Sequence, residues 1–220
     1  MHINQYIDHT VLKAVATTGE ISQLCSEART HQFFSVCVNS CHVPQAKAEL
    51  AGSPVKVCSV VGFPLGAMSS EAKVFEAKHA VAQGADEIDM VINVGLLKSG
   101  QADAVRDEIK AIKQAIGSRI LKVIIEACYL SDAEKVLACQ LAVAAGADYV
   151  KTSTGFGTGG ATFEDVKLML DTVGGKALVK ASGGVKDAET AAKYVAMGVR
   201  RLGTSNGIKI VQGETVTGGY

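Results

Sequence analysis

An α/β fold, specifically a (β/α)8 TIM barrel, is predicted from three signals that repeat along the 220-residue chain. Short β-rich runs alternate with alanine-rich stretches of helical period, helix stop signals recur at similar intervals, and glycine-rich loops follow the later strands. A chain of this length can bury one full core. We therefore expect one barrel domain over residues 1–220, with a flexible C-terminal tail from about 213 to 220.

Eight strands are predicted, each a run of four to seven residues, and most of these runs are rich in β-branched and other apolar side chains. A segment long enough for a helical crossover separates each strand from the next, which favours parallel pairing. The predicted strands span 6–10, 34–39, 56–61, 87–92, 121–127, 148–152, 177–181 and 200–203.

Seven helices are predicted between these strands. Ser69, Ser131, Thr162 and Asp187 precede helical stretches and are suitable N-caps. Ser69, Ser131 and Asp187 have a carboxylate two or three residues further on, which strengthens the prediction. The predicted helices span 19–31, 44–50, 69–83, 102–116, 131–145, 162–173 and 187–197.

Glycines that end helices repeat at a spacing that suits a barrel. Gly84, Gly146 and Gly198 each follow an alanine-rich helix and precede a strand. They lie 62 and 52 residues apart, and each interval spans two βα units, so one unit takes about 26 to 31 residues. A doubly wound open sheet is the main alternative, but no Gly-x-Gly-x-x-Gly turn follows the first strand.

The charge balance points to a small-molecule partner. Lysine plus arginine equals aspartate plus glutamate at 22 each, so no basic surface for nucleic acid or an anionic membrane is expected. The N-terminal segment lacks the pattern of a secretory signal, and no apolar run approaches the length of a membrane span. We expect a cytoplasmic protein that binds neither nucleic acid nor membrane.

The six cysteines are scattered and mostly lie in apolar runs, which favours reduced, buried thiols over a disulfide framework. Cys37, Cys41 and His42 could suggest a metal site. No second ligand pair follows at a zinc-like spacing, so we expect no metal.

Charged side chains are predicted to converge inside the barrel. Lys151 and Lys180 each end an apolar run and precede glycine-rich sequence, as expected for strand ends. Period-two alternation places Glu87 and Asp89 on one face of the fourth strand and Lys122 and Glu126 on one face of the fifth, and we expect these faces to look inward. Asp8 joins this group from the first strand. Burial and a nearby second cation both favour the neutral, nucleophilic form of a lysine amine. A carboxylate can transfer protons. Amine-catalysed aldol chemistry requires both functions. The alternative is a set of salt bridges that fills a polar barrel interior.

Glycine-rich loops follow the last three predicted strands, at 152–155, 182–184 and 203–207. Backbone amides that glycine exposes, together with hydroxyl groups, form anion sites suited to phosphate, and the last two loops occupy the usual phosphate position of a barrel. The alternative is that the glycines serve only tight turns.

These motifs together resemble the deoxyribose-phosphate aldolase family of class I, lysine-dependent aldolases, over nearly the whole chain. The segments that carry the resemblance are IDHT at 7–10, VCVN at 36–39, VVGFP at 60–64, EIDMV at 87–91, KVIIE at 122–126, KTSTGF at 151–156, KASGG at 180–184 and GTS at 203–205. The resemblance implies a barrel that reversibly cleaves 2-deoxy-D-ribose 5-phosphate to D-glyceraldehyde 3-phosphate and acetaldehyde in deoxyribonucleoside catabolism. It implies no metal and no organic cofactor.

The resemblance also implies a role for each matching residue. Lys151 matches the Schiff-base lysine, Lys180 the second lysine whose charge activates the first, and Asp89 the proton-relaying carboxylate. The supporting proton relay would comprise Asp8, Lys122 and the terminal Tyr220. The substrate phosphate would be bound by Gly155, Gly183, Gly184, Gly203 and Ser205. Two positions depart from common family residues: Asn206, often serine, and Phe156, lysine in some members.

Three other functions are consistent with parts of the pattern. One is another Schiff-base barrel aldolase or a transaldolase that acts on a different sugar. Another is a non-catalytic sugar-phosphate binding protein, although the intact Asp89, Lys151 and Lys180 argue against it. Barrel isomerases with paired carboxylates do not account for two strand-end lysines. The resemblance favours a homodimer.

Overall fold

The computed structural model describes residues 2–213 and shows a closed barrel of eight parallel strands. The strands pair in chain order, and β1 and β8 pair with each other to close the barrel. The predicted TIM barrel is thus confirmed, while the predicted tail beyond residue 213 lies outside the described residues. The strands are β1 Ile7–Val11, β2 Ser35–Val38, β3 Lys56–Val61, β4 Glu87–Val91, β5 Ile120–Ile124, β6 Tyr149–Lys151, β7 Leu178–Ser182 and β8 Arg201–Thr204.

Helices follow every strand and surround the barrel. The seven predicted helices are present, and α4 and α9 were not predicted. The α-helices are α1 Thr18–Thr30, α2 Val43–Glu49, α3 Ser70–Ala82, α4 Val94–Lys98, α5 Ala102–Ile116, α6 Asp132–Ala144, α7 Phe163–Val173, α8 Ala188–Met197 and α9 Gly207–Gln212. No helix in the described range combines the length and the apolarity needed to cross a membrane.

The predicted N-caps act as expected because their hydrogen bonds are local. The side chains of Ser69, Ser131, Thr162 and Asp187 each accept a hydrogen bond from the backbone N–H three residues further on. In α6 the cap is reciprocal, since the Glu134 side chain accepts from the N–H of Ser131. These caps fix where each helix begins outside the barrel.

The strands divide the buried residues into an apolar outer layer and a charged interior. On β4, Ile88 and Met90 belong to the hydrophobic core between strands and helices. Glu87 and Asp89 alternate with them and are also buried. Carboxylates in such a place must be paired with cations, because burial of an uncompensated charge is very costly. The cations that pair with them come from β5 to β8.

Candidate active site

Asp89 lies at the centre of the charged interior and contacts three lysines. Its Oδ1 accepts a hydrogen bond from Lys122 Nζ at 2.8 Å, and its Oδ2 accepts from Lys151 Nζ and Lys180 Nζ, each at 2.8 Å. The thiol of Cys58 lies 3.0 Å from Oδ1. Barrel closure therefore brings together the three residues predicted to carry the chemistry, and Lys122 is a direct contact of Asp89.

A second group of ion pairs lies next to the first. Asp8 on β1 accepts from Lys180 at 2.5 Å and from Arg201 at 2.7 Å. Glu87 on β4 pairs with the same guanidinium at 2.7 Å and with Lys122 at 2.5 Å. Asp8 thus shares Lys180 with Asp89, and Glu87 shares Lys122 with Asp89. Both carboxylates also pair with Arg201.

These contacts determine the protonation of the buried groups. Burial by itself raises the pKa of Asp89, but Lys122, Lys151 and Lys180 outweigh it and hold the pKa well below its ordinary value. Burial by itself lowers the pKa of Lys180, and Asp8 and Asp89 reverse this and raise it. Burial also opposes the charge of Lys122, and its pKa is raised in the same way, chiefly by Asp89. Lys122 and Lys180 are therefore permanent cations near neutral pH.

The charge balance singles out Lys151. Within the described residues the cluster joins three carboxylates to four cationic side chains, so one cation lacks a carboxylate of its own. Lys180 and Arg201 each contact two carboxylates, whereas Lys151 contacts Asp89 alone. Lys151 is also the cluster member that lines the open cavity. Lys151 is therefore the cluster member that combines a single carboxylate contact with access to a ligand.

The cavity opens at the carboxyl ends of the strands and has a volume of about 590 Å³. Of the predicted phosphate residues, Gly155, Gly183, Gly203 and Ser205 line it, whereas Gly184 does not. The lining also includes residues of the loop after β1 and of α1. Lys151 lies beside the glycine loops in one continuous space.

A small apolar group lies beside the charged cluster. It is separate from the main core, Phe63 packs against it, and its buried members are Leu12, Cys37, Cys58 and Val60. The ring of Phe63 meets that of Phe156 edge-on, with 5.3 Å between the ring centres. Phe156, which stands where some family members have lysine, thus makes an aromatic contact between the loop after β6 and the loop after β3.

The cysteines and carboxylates offer one group of three potential metal ligands in the described range, Cys37, Cys58 and Asp89. Both oxygens of Asp89 already accept hydrogen bonds from lysine ammonium groups. A metal cation there would face three positive charges, so the surroundings do not suit it. Cys41, considered with His42 in the sequence, lies on the surface.

Three buried residues at the site were missed. Glu87 and Arg201 complete the ion network, and Glu126 contacts the loop after β6. Period-two alternation placed Glu87 on the inner surface, which was a usable signal. Arg201 follows Arg200, and the sequence does not distinguish which of the two enters the barrel. Tyr220 lies outside the described residues.

The comparisons with known proteins agree with this geometry. The model of the DeoC/LacD family aldolases matches residues 2–213. The deoxyribose-phosphate aldolases of Streptococcus uberis and Brevibacillus brevis are each 58% identical to this chain, and each alignment covers all of both proteins. The structure of deoxyribose phosphate aldolase from Aeropyrum pernix, described as tetrameric, superposes with a TM-score of 0.88 at 32% identity, covering 96% of this chain and 89% of that one. The chain belongs to the DeoC/LacD family of aldolases.

Proposed function

We propose that this protein is a class I aldolase that reversibly cleaves 2-deoxy-D-ribose 5-phosphate to D-glyceraldehyde 3-phosphate and acetaldehyde. The observation that carries the proposal is the position of Lys151. Its side chain lines the cavity, and its amine lies 2.8 Å from a carboxylate that two further lysines neutralise. The names of the full-length relatives support the substrate.

The reaction begins when the neutral amine of Lys151 attacks the aldehyde carbon C1 of the open-chain sugar. Loss of water from the carbinolamine gives a protonated imine, which draws electrons from the C2–C3 bond as that bond breaks. The electron pair of the broken bond stays with the two-carbon fragment on Lys151, which becomes the enamine. A water held by Asp89 and Lys180 accepts the hydroxyl proton of the departing fragment, whose hydroxyl-bearing carbon becomes the aldehyde of glyceraldehyde 3-phosphate.

The second half of the reaction returns the enzyme to its starting state. Protonation of the enamine carbon gives the imine of acetaldehyde, and water hydrolyses it to acetaldehyde and free Lys151. Asp8 pairs with Lys180, and Lys122 pairs with Asp89. These ion pairs keep Lys180 and Asp89 charged and in position for proton transfer. We assign the enamine protonation to Tyr220, as the resemblance implies.

The phosphate is assigned to the glycine loops that line the cavity. Gly155, Gly183, Gly203 and Ser205 can present backbone amides and a hydroxyl to an anion there. Gly184 lies one residue beyond the lining and would act through its backbone. In this arrangement the aldehyde reaches Lys151 while the phosphate fixes the other end of the sugar.

Borohydride reduction in the presence of acetaldehyde tests the proposal, followed by peptide mass mapping. We expect a stable ethyl adduct on Lys151 and, with deoxyribose 5-phosphate, release of both expected products. Lys151→Ala should lose the adduct and turnover, while Lys167→Ala, at an exposed lysine, should keep both. Turnover near the wild-type rate in Lys151→Ala would contradict the mechanism. An adduct without these two products would indicate a different aldolase substrate.

The assembly is a separate proposal. We infer one catalytic domain per chain and a homodimer in solution, as the family resemblance implies. Light scattering coupled to size-exclusion chromatography measures the mass directly, and a mass of one or four chains would contradict the dimer. A tetramer would match the assembly named for the Aeropyrum pernix relative.

A further inference from the structure

Glu126 has a backbone conformation that is unusual for its residue type. It lies two residues after β5, is buried, and has φ of 52° and ψ of 65° in the left-handed region. A residue with a side chain adopts this region rarely and at an energetic cost. The conformation therefore needs compensation from the surrounding contacts.

A β-bulge produces this conformation. The N–H of Ile125 donates to the carbonyl of Lys151, and the N–H of Ala127 donates to the carbonyl of Thr152. Between these two hydrogen bonds the chain after β5 advances by two residues, whereas the chain of β6 advances by one. Glu126 is therefore the extra residue. Bulges of this kind redirect a side chain next to an active site. Here the redirected side chain points at the loop that follows Lys151.

The carboxylate of Glu126 binds one residue of that loop twice. Its Oε1 accepts a hydrogen bond from the N–H of Thr154 at 3.1 Å, and its Oε2 accepts from the Thr154 hydroxyl. The same hydroxyl oxygen accepts from the N–H of Phe156 at 3.0 Å. Gly155, with φ of 86°, is therefore held between two residues that are both fixed by hydrogen bonds.

We propose that Glu126 is a positioning residue that sets the geometry of the phosphate loop 154–156 and so determines the preference for a phosphorylated sugar. The inference rests on the proposed function, because it assigns the phosphate to Gly155. Glu126 acts on the loop through Thr154. Lys151 is held separately by Asp89, so imine formation does not depend on the contact between Glu126 and Thr154.

Substitutions at Thr154 separate this role from a general role in folding. Thr154→Val keeps the shape of the side chain but removes the hydroxyl that links Glu126 to Phe156, whereas Thr154→Ser retains the hydroxyl. Glu126→Ala removes both contacts. Binding of inorganic phosphate is measured by titration calorimetry, and kcat/KM is measured for deoxyribose 5-phosphate and for deoxyribose. Borohydride trapping of acetaldehyde reports imine formation.

We expect the phosphate Kd of Thr154→Val and Glu126→Ala to rise about tenfold, since each loses a hydrogen bond to a charged acceptor. The kcat/KM for the phosphorylated sugar should fall by a similar factor through KM, while the value for deoxyribose and the trapping of acetaldehyde stay at wild-type levels. Thr154→Ser retains the hydroxyl, so its phosphate Kd should stay near the wild-type value. If Glu126→Ala does not fold, the two Thr154 variants carry the test.

Three results would overturn the inference. The first is unchanged phosphate binding in Thr154→Val, and the second is no phosphate binding by the wild type. The third is an equal loss for both sugars together with lost trapping, which would indicate a structural role near Lys151. The proposed function fails in a different way. A wild-type protein that binds phosphate but neither traps acetaldehyde nor cleaves the sugar would remove the aldolase assignment, and the calorimetry would still measure the role of Glu126.

Discussion

Replacement of Asp89 by asparagine tests the charge balance of the barrel interior. The substitution Asp89→Asn keeps the size of the side chain but removes the negative charge that three lysines share. Asp89 is fully buried, so bulk water does not compensate the lost charge. We expect loss of stability as well as loss of activity.

The size of the effect follows from the contacts. At an effective dielectric constant of about 20, each 2.8 Å contact corresponds to roughly 6 kcal/mol of Coulomb attraction. Much of this offsets the several kcal/mol that burial of each ion costs, and removal of one partner from a buried pair costs about 3–5 kcal/mol. With three cations affected, we expect about 5 kcal/mol, or a fall in Tm of roughly 10–20 °C for a domain of this size.

Urea unfolding and thermal melts at neutral pH measure the difference between wild type and Asp89→Asn. Asp171→Asn is the matched control, because Asp171 forms an exposed i,i+4 pair with Lys167 and its loss should cost at most about 0.5 kcal/mol. The deficit of Asp89→Asn should shrink as the pH rises toward about 10, since lysines without their carboxylate then lose the unfavourable charge. A loss of unfolding free energy equal to that of the control, or one that does not depend on pH in this range, would refute the inference that Asp89 compensates the charge of the surrounding lysines.

Three further predictions concern other parts of the molecule. Burial lowers the pKa of His9 against the opposing effect of Glu27, so the folded state binds fewer protons than the unfolded state. The free energy of unfolding should therefore fall as the pH drops below about 6.5, and this dependence should be weaker in His9→Gln. Burial raises the pKa of Cys25 and Cys139 to about 12, so iodoacetamide at pH ~8 should modify the exposed Cys41 well before them, and equal rates would contradict this. Gly183 and Gly184 both have positive φ, but a Cβ on Gly183 would lie 2.9 Å from Gly160 Cα, whereas a Cβ on Gly184 meets nothing within 4 Å. Gly183→Ala should therefore cost about 1–3 kcal/mol more than Gly184→Ala in urea unfolding.

The loop after β5 shows where a local sequence pattern stops predicting the site. The alternation of residues predicted a strand that continues to 127, with Glu126 on the same surface as Lys122. The strand ends at Ile124, and a bulge turns Glu126 toward Thr154 instead. The contacts that favour the bulge come from β6 and the loop after it, 28 residues away along the chain for Thr154, so the local pattern carries no signal for it.

The two unpredicted helices have a similar explanation. Helix α4 has five residues and α9 has six, which is too short for a reliable periodic pattern. Isolated helices of this length are unstable in water, so packing against α5 in one case and against α8 and β1 in the other must hold them. Longer helices with local caps, such as α3 and α6, were predicted to within a residue or two.

The sequence by itself determined the order of strands and helices, the helix starts, and the presence of lysines at two strand ends. These features depend on hydrogen bonds and side-chain periodicity within a few residues of each other. Only the tertiary structure decided that Lys180 is sealed between Asp8 and Asp89 while Lys151 faces the cavity. Lys180 and Asp8 lie 172 positions apart, and closure of the barrel between β1 and β8 brings them within hydrogen-bond distance. The different surroundings of the two lysines follow from that closure, because it sets which carboxylates lie within reach of each amine.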